Sequence, residues 1–168
     1  MRYSMKLLVV DDDTFVRMLF AFDLPDVDLI EARSVREAAE LLEEHSPDAM
    51  VVDRRLPDGD GLQLVRAVRG DGDPGRMPIV LLTAAHDPVQ EPEVLRAGAD
   101  AYMAKPFEAE DLMTRIDEIL DIPADQRASL RRAAAAQLER SVSFVSGTSG
   151  STPESSPIEW ARSSQRMR

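Results

Sequence analysis

Four short apolar runs in this chain each end at a polar or charged residue, and this recurrence constrains the fold more than any other feature. The runs end at Asp11-Asp12-Asp13, Asp53, Thr83 and Lys105. If the runs are parallel strands, these side chains meet at one edge of one sheet, where open α/β sheets bind their ligands. Carboxylates, a hydroxyl and an ammonium gathered there predict a site for a divalent cation and a phosphoryl group.

The first 121 residues alternate between predicted strands and predicted helices. Strands are predicted at 6–10, 27–31, 49–52, 79–82 and 101–104, and helices at 14–24, 34–45, 61–69, 89–97 and 109–120. Such alternation indicates a parallel sheet covered on both faces. We predict an α/β fold, a flavodoxin-like (βα)5 doubly wound sheet with strand order 2-1-3-4-5. In that order strands 1 and 3 are neighbours, which brings Asp11, Asp12 and Asp53 together.

Local signals mark several of these boundaries. Asp13 is a candidate N-cap for the first helix, and Ser34 with Glu37 fits a capping box for the second. Pro88 and Pro92 lie at the start of the fourth helix, where proline is tolerated only in the first turn. We therefore expect the fourth helix to begin late or to be loosely held.

Composition and charge restrict the function. The chain has no cysteine, so disulfides and thiolate metal sites are excluded. Its N-terminal apolar run is too short for a secretory signal and no stretch is long enough to span a membrane, so a cytoplasmic protein without a membrane partner is predicted. Residues 122–168 hold seven arginines and four acidic residues, a net of +3, which leaves −14 for residues 1–121. An acidic domain repels nucleic acid, which is therefore disfavoured as a partner.

The acidic residues at the strand ends predict a metal ion. Carboxylates held close together repel one another by about 4 kcal/mol per pair at ~4 Å and an effective dielectric of ~20. A bound cation removes that repulsion, and Mg²⁺ prefers hard oxygen ligands such as those of Asp11, Asp12 and Asp53. A solvated acidic loop explains the run at 11–13 equally well, but not Asp53 and Lys105 at two further strand ends.

Order and spacing carry a family resemblance over residues 5 to about 121. The sequence has a strand followed by Asp-Asp, a strand followed by Asp-x-x-Leu-Pro-x-x-x-Gly, a strand followed by Thr-Ala, and then Gly-Ala-Asp-Ala-Tyr-x-x-Lys-Pro-Phe. This pattern resembles the receiver domain of two-component response regulators, of which the chemotaxis-type proteins with a single receiver are the simplest. The resemblance implies a phosphorelay protein that signals by protein–protein contact and is not an enzyme.

The resemblance assigns a role to each residue of the site. It implies that Asp53 accepts a phosphoryl group from a sensor histidine kinase or a phosphotransfer protein. Asp11, Asp12, Asp53 and the backbone carbonyl of Arg55 would hold Mg²⁺. Lys105 would pair with the phosphoryl group, through a loop in which the Lys105–Pro106 bond is cis.

A second set of residues would pass the signal on. The resemblance implies that Thr83 turns towards the phosphoryl group and that Tyr102 is an aromatic switch on strand 5. Helix 4, strand 5 and helix 5 would then present the change to a downstream protein target. Tyr102 is also interpretable as a packed strand aromatic.

Two features of this chain depart from a minimal receiver. The guanidinium of Arg55, two residues after Asp53, either reaches the phosphoryl group and alters dephosphorylation or is simply solvated. Helix 1 carries more apolar residues than one core face uses (Phe15, Val16, Met18, Leu19, Phe20 and Phe22). The excess either docks a phosphodonor or is covered by the chain's own tail.

The remaining residues predict an extension. We divide the chain into a receiver at 1–121, a C-terminal helix at 122–143 with Asp125 as its N-cap, and a flexible Ser/Gly/Pro-rich tail at 144–168. The helix is predicted to run to about Arg140. A short Ala-rich helix is marginal alone, so it docks on the receiver, pairs with a copy in a homodimer, or leads into a further element. The segment around Trp160 is a candidate partner-binding peptide, or disordered without function.

Two other functions remain open at this point. A haloacid-dehalogenase-type phosphatase also uses a strand-end aspartate, Mg²⁺, a hydroxyl and a lysine. Its motif needs Thr or Val four residues after the first Asp, where this chain has Phe15. A degenerate receiver acting as a scaffold is the other alternative, and the intact set of Asp11, Asp12, Asp53 and Lys105 argues against it.

Overall fold

The computed structural model of this protein describes residues 4–70, 77–84 and 91–145, the last four of them as backbone only. Five strands form one sheet: β1 (Lys6–Val10), β2 (Asp28–Ala32), β3 (Ala49–Asp53), β6 (Ile79–Thr83) and β7 (Ala101–Ala104). Two short strands, β4 (Arg55–Leu56) and β5 (Gly59–Asp60), pair with each other in a separate antiparallel hairpin.

The main sheet is parallel throughout and has the order β2-β1-β3-β6-β7. Counting only its own strands, this is the order 2-1-3-4-5, so the predicted flavodoxin-like α/β fold is confirmed. In the register, Val10 lies beside Val52, and Asp53 lies beside Leu82. The carboxyl ends of β1 and β3 are therefore neighbours, as the acidic residues at those ends require.

Six helices accompany the strands within the described residues. They are α1 (Thr14–Asp23), α2 (Val35–Glu44), α3 (Gly61–Gly70), α4 (Glu91–Ala97), α5 (Ala109–Leu120) and α6 (Ala124–Val145). Among these residues, no helix is both long and apolar enough to cross a membrane.

Helices cover both faces of the sheet, and alternate residues of each strand point to opposite faces. Both sets of side chains are therefore buried. One face packs against α1 and α5, where Val9 and Val51 meet Phe20 and Ile116. The other face packs against α2, α3 and α4 around Leu8, Met50 and Leu62. This burial on two sides explains why the strands read as continuous apolar runs.

The predicted helix starts rest on side-chain caps. The carboxylate of Asp13 accepts the Phe15 N–H at 2.8 Å, so Asp13 is the N-cap of α1. Ser34 caps α2 by accepting the Glu37 N–H at 3.1 Å. The Glu37 carboxylate accepts the Arg33 N–H at 2.7 Å, whereas in a capping box it would accept the N–H of the cap residue Ser34.

The structure adds one element and corrects one local prediction. Residues 55–60, between the predicted third strand and third helix, contain the hairpin of β4 and β5, whose two-residue strands are too short to show a sequence pattern. Helix α6 begins at Ala124, so Asp125 lies in its first turn and is not its N-cap, and the helix extends past Arg140. Helix α4 is described from Glu91, with Pro92 in its first turn, while residues 85–90 lie outside the described residues.

Helix α6 docks on the rest of the chain, one of the three outcomes open for it. Leu95 of α4 packs against Ala134, Ala135 and Leu138 of α6. Arg127 donates to the Ile122 carbonyl at 2.8 Å and holds the turn that joins α5 to α6. The division of the chain into receiver, helix and tail stays a prediction, and the tail from 146 onwards lies outside the described residues.

Replacement of Gly61 tests the close approach between α3 and the end of β3. A Cβ at Gly61 would lie 2.0 Å from the backbone oxygen of Asp53, which no rotamer can relieve. We expect Gly61→Ala to lower the free energy of unfolding by about 2 kcal/mol or more, measured by urea denaturation.

Gly70→Ala is the matched control, because nothing lies within 4 Å of the Cβ it would add at the end of the same helix. We expect Gly70→Ala to leave the stability unchanged or slightly raised, as alanine is the better helix former. Equal stability of the Gly61 and Gly70 variants would contradict the close approach.

Candidate functional site

The carboxyl edge of the sheet carries the residues that the sequence singled out. Asp11 follows β1, Asp53 ends β3, Thr83 ends β6, and Lys105 follows β7. Backbone hydrogen bonds between strands continue up to that edge. The Asp11 N–H donates to Ala32 O at 3.0 Å, and the Lys105 N–H donates to Thr83 O at 2.8 Å. The parallel register, and not sequence proximity, brings these four residues to one edge of the sheet.

The three predicted acidic residues form one cluster. Asp11, Asp12 and Asp53 each offer a carboxylate oxygen, and these oxygens all lie within 4.8 Å of one another. Asp11 is fully buried, Asp53 is 9% exposed and Asp12 faces solvent. The cluster is therefore a crevice with a buried floor and an open rim, which suits a ligand that arrives from water.

Lys105 neutralises part of this charge. Its Nζ donates to Asp11 Oδ2 at 2.7 Å and also makes an ion pair with Asp53 Oδ2. The ammonium thus lies between the buried carboxylate of β1 and the carboxylate at the end of β3. The Lys105–Pro106 peptide bond is cis, as the resemblance implied.

The site shifts the ionisation of its own groups. Burial raises the pKa of the Asp11 carboxyl, and hydrogen bonds from Lys105 and the Asp13 N–H offset only part of that rise. Burial by itself lowers the pKa of Lys105, but hydrogen bonds to Asp11 and Asp53 outweigh it, so the pKa of Lys105 is raised. The ammonium consequently stays protonated as the counter-charge of the cluster.

The backbone around Asp53 fixes the direction of its carboxylate. Asp53 Oδ1 accepts the Arg55 N–H at 2.9 Å, while Oδ2 faces Lys105. The Arg54 carbonyl accepts the Gly61 N–H at 2.8 Å, which folds the β4–β5 hairpin back over the end of β3. Arg55 is itself exposed, and its strand partner in the hairpin is Asp60.

The side chain of Tyr102 is directed towards α4. Its hydroxyl donates to Glu91 Oε2 at 3.0 Å, and Glu91 is only 4% exposed. Burial and the neighbouring Glu91 carboxylate raise the pKa of Tyr102 well above its usual value. Tyr102 is thus placed to connect β7 to the first turn of α4.

Sequence reasoning missed two arginines next to the site. Arg17 is 4% exposed, and its guanidinium donates to the backbone oxygen of Asp11 at 2.7 Å and pairs with Glu31 at 3.3 Å. It lies three residues before Phe20, on the core face of α1, and that spacing was the available signal. Arg54 follows Asp53 directly and pairs with Glu93 of α4 at 3.3 Å.

The comparisons identify the family. The family model of the response regulator receiver domain matches residues 7–117, about two thirds of the chain. This chain belongs to the response regulator receiver family. The receiver is a signalling domain, and the match includes every residue of the acidic cluster together with Thr83, Tyr102 and Lys105.

Two curated relatives of the receiver are transcriptional regulators. The transcriptional regulatory protein PhoP of Escherichia coli K12 is 38% identical over 118 residues, which cover 69% of this chain and 52% of that protein. The virulence transcriptional regulatory protein PhoP of Salmonella typhimurium LT2 is 39% identical over 120 residues, with the same coverage. The chain thus spans about half the length of the curated relatives it matches.

Solved receivers share the fold. The chemotaxis response regulator CheY4 of Vibrio cholerae has a TM-score of 0.65 and 28% identity, covering 70% of this chain and all of that one. The BeF3-activated receiver domain of DrrB, a Thermotoga maritima OmpR/PhoB homologue, has a TM-score of 0.62 and 26% identity, covering 71% of this chain and all of that one.

The family match separates the receiver from the phosphatase, and both an active and a degenerate receiver fit it. The chain is a receiver, as predicted, and nothing in the comparisons supports a haloacid-dehalogenase-type phosphatase. Because the PhoP relatives are named as transcriptional regulators, the expectation that nucleic acid is not a partner stays a prediction.

Removal of the Lys105 charge tests how this receiver holds its acidic cluster together. Lys105→Met leaves Asp11 and Asp53 facing each other in a mostly buried crevice. We expect the free energy of unfolding in metal-free buffer to fall by about 1–3 kcal/mol, and added Mg²⁺ to restore most of it.

The chain contains only one other lysine, Lys6, which is exposed and serves as the control. We expect Lys6→Met to change stability by less than about 0.5 kcal/mol, with or without Mg²⁺. Urea denaturation across a Mg²⁺ titration measures both variants. If Mg²⁺ stabilised the two variants equally, Lys105 would not be the counter-charge of this cluster.

Proposed function

We propose that this receiver accepts a phosphoryl group on Asp53 from a histidine kinase or phosphotransfer protein and signals through contacts with a protein target. The single observation that carries the proposal is the position of the Asp53 carboxylate. It is 9% exposed within the acidic crevice, with one oxygen fixed by the Arg55 N–H and the other facing the Lys105 ammonium. A carboxylate held in this way is a directed nucleophile.

The donor set of the crevice fits Mg²⁺. Three carboxylate oxygens within 4.8 Å of one another are hard ligands of the kind this ion prefers, and Asp12 at the exposed rim leaves room for waters. We assign Asp11, Asp12 and Asp53 to the ion, with the backbone carbonyl of Arg55 as a further ligand. When bound, the ion neutralises the charge that develops on phosphoryl oxygens.

The chain's own residues account for the rest of the transfer. A carboxylate oxygen of Asp53 attacks the phosphorus of the donor phosphohistidine, a P–O bond forms as the P–N bond breaks, and the imidazole leaves. Lys105 gives up its direct contact with Asp53 and pairs with a phosphoryl oxygen, while it keeps Asp11 as a partner. A carboxylate nucleophile has no proton to give up when it attacks, so no residue is needed as a general base.

Thr83 and Tyr102 are the residues we assign to signal output. Thr83 ends β6 beside the site, and its backbone oxygen accepts the Lys105 N–H, so it lies next to the group that a phosphoryl charge displaces. Tyr102, one strand away, is hydrogen-bonded to α4 through Glu91. The output surface is then α4, β7 and α5, and the guanidinium of Arg55 is the neighbour most able to change the lifetime of the phosphoryl group.

Helix α1 is the surface we assign to the phosphodonor. Phe15, Met18 and Phe22 recur three and four residues apart and are 75%, 63% and 87% exposed. The helix begins next to the acidic loop, capped by Asp13. An apolar stripe that close to the phosphoacceptor suits a helix of a donor protein, and among the described residues α6 packs on α4 and leaves the stripe uncovered.

Phosphoryl transfer from a small-molecule donor tests the role of Asp53. We expect the wild-type chain to gain the mass of one phosphoryl group from acetyl phosphate in the presence of Mg²⁺, and to gain almost none after chelation. Asp53→Asn removes the nucleophile and keeps the size of the side chain, so it should gain none. Intact mass spectrometry measures the product.

Asp13→Asn is the matched control for this experiment. It removes a neighbouring carboxylate, but asparagine caps a helix as well as aspartate does, so the fold of α1 is preserved. We expect Asp13→Asn to be phosphorylated at a rate within about two-fold of the wild type. Phosphorylation of Asp53→Asn at the wild-type rate would overturn the assignment.

Phosphoryl transfer from a protein donor tests whether the α1 stripe (Phe15, Met18 and Phe22) is a docking surface. We expect Phe22→Ser to lower the rate of transfer from a phosphorylated histidine phosphotransfer domain by roughly ten-fold, since a docking contact is lost. Its rate with acetyl phosphate, which needs no docking surface, should not change. Leu120→Ser is the control, because Leu120 is a 42% exposed apolar residue on α5, outside the α1 stripe. An equal loss in both variants would remove the docking role.

A further inference from the structure

Helix α6 covers the outer surface of α4 through a small, Ala-rich contact. Ala134 and Ala135 are 2% and 0% exposed and pack with Leu138 against Leu95, which is 2% exposed. Small side chains allow the two helices to approach closely. This cluster is separate from the two cores that line the sheet, so the receiver core does not depend on it.

Two ion pairs flank the apolar contact. Arg131 of α6 reaches the carboxylate of Asp100, the residue before β7, and Glu139 of α6 pairs with Arg96 of α4. Asp100 is buried and has other partners, because Arg69 donates to it at 2.8 Å and the Ile79 N–H at 2.9 Å. Helix α6 can therefore detach without leaving the Asp100 carboxylate unpaired, which would otherwise be costly.

Helix α4, the seven-residue helix on which α6 docks, also contacts residues near the phosphoacceptor site through its first turn. Glu91 accepts the Tyr102 hydroxyl, and Glu93 binds Arg54, the residue that follows Asp53. Glu93 also binds Arg66 of α3 at 3.1 Å. Helix α4 thus contacts Arg54 and Tyr102 on one side and α6 on the other, within two turns.

We propose that the α4 surface is a helix-binding surface, that α6 is its intramolecular occupant, and that docking of α6 opposes phosphorylation of Asp53. This inference rests on the proposed function. The docked arrangement is the one in which Lys105 pairs directly with Asp53, and a phosphoryl group must replace that pair. The free energy of α6 docking therefore stabilises the unphosphorylated arrangement of α4. By thermodynamic linkage, a phosphoryl group or its mimic at Asp53 weakens α6 docking by the same factor by which docking weakens binding at the site.

The uncovered surface would suit one kind of partner. It offers the Leu95 side chain beside the Asp100 carboxylate and the Arg96 guanidinium. A partner helix with small apolar residues, an arginine one turn before them and an acidic residue after them reproduces the pattern of Arg131, Ala135 and Glu139. The chain would then present this surface to its target chiefly when Asp53 carries a phosphoryl group.

Hydrogen exchange on the full chain measures the docking directly. Backbone amides of α6 are followed with and without beryllofluoride plus Mg²⁺, a phosphoryl mimic. We expect exchange in α6 to quicken by roughly five-fold or more on loading, the lower end of usual allosteric couplings. Exchange in the core strands β1 and β3 should not quicken. Unchanged or slower exchange in α6 would overturn the proposal.

Two matched pairs of variants test the reverse direction. Ala135→Arg places a long charged side chain in the contact, whereas Ala133→Arg makes the same change on the exposed face of α6. Arg131→Gln removes the bond to Asp100, whereas Arg132→Gln changes an exposed neighbour. We expect Ala135→Arg and Arg131→Gln to bind beryllofluoride more tightly than their controls, by the factor that hydrogen exchange reports.

The outcomes separate this inference from the proposed function. If no variant and no wild-type protein binds beryllofluoride, the phosphoacceptor assignment fails and the coupling fails with it. If all bind with equal affinity while α6 exchanges freely in Ala135→Arg, the site stands and the coupling is refuted. Tighter binding confined to Ala135→Arg and Arg131→Gln supports the coupling.

Discussion

The contact of one ammonium with two carboxylates organises the functional half of this molecule. Asp11 and Asp53 lie at the ends of neighbouring parallel strands. Lys105 follows the edge strand β7, and its ammonium contacts both carboxylates. Without that cation the carboxylates repel each other in a poorly solvated crevice. The acidic edge is therefore stable only when positive charge is present, from Lys105 and, on our proposal, from Mg²⁺. Because the acidic edge needs added positive charge, it suits, on our proposal, a phosphoryl group that is bound together with Mg²⁺.

Much of this could be predicted from the sequence, and for one physical reason. In a parallel sheet buried on both faces, each strand is an apolar run and its carboxyl end is where polar side chains begin. Val52-Asp53 and Leu82-Thr83 are therefore visible as strand ends, and the sheet topology carries them to one edge. The position of Asp53 beside Asp11 follows from strand order alone, while the identity of the phosphoacceptor rests on the family pattern.

Two of the contacts that escaped prediction depend on side chains meeting across elements, and a third depends on backbone pairing. Arg17 looks like a surface charge until α1 is placed on the sheet, where its guanidinium faces the Asp11 carbonyl. The docking of α6 on α4 joins Leu95 to Ala135, forty residues away, and an Ala-rich pattern with weak amphipathicity does not say which surface it meets. The hairpin after Asp53 is set by two backbone pairs that leave no periodic signal.

Helix α4 is the element whose position is least determined by its own sequence. Seven residues make a helix that is marginal alone. Its place therefore depends on its neighbours: Val94 against the sheet, Glu91 and Glu93 towards Tyr102 and Arg54, and Leu95 against α6. A short helix has few internal hydrogen bonds, so its position depends on its neighbours and shifts when one of them changes. On our proposal, that property makes α4, and not the sheet beneath it, the part of the fold that carries a change at Asp53 to the surface.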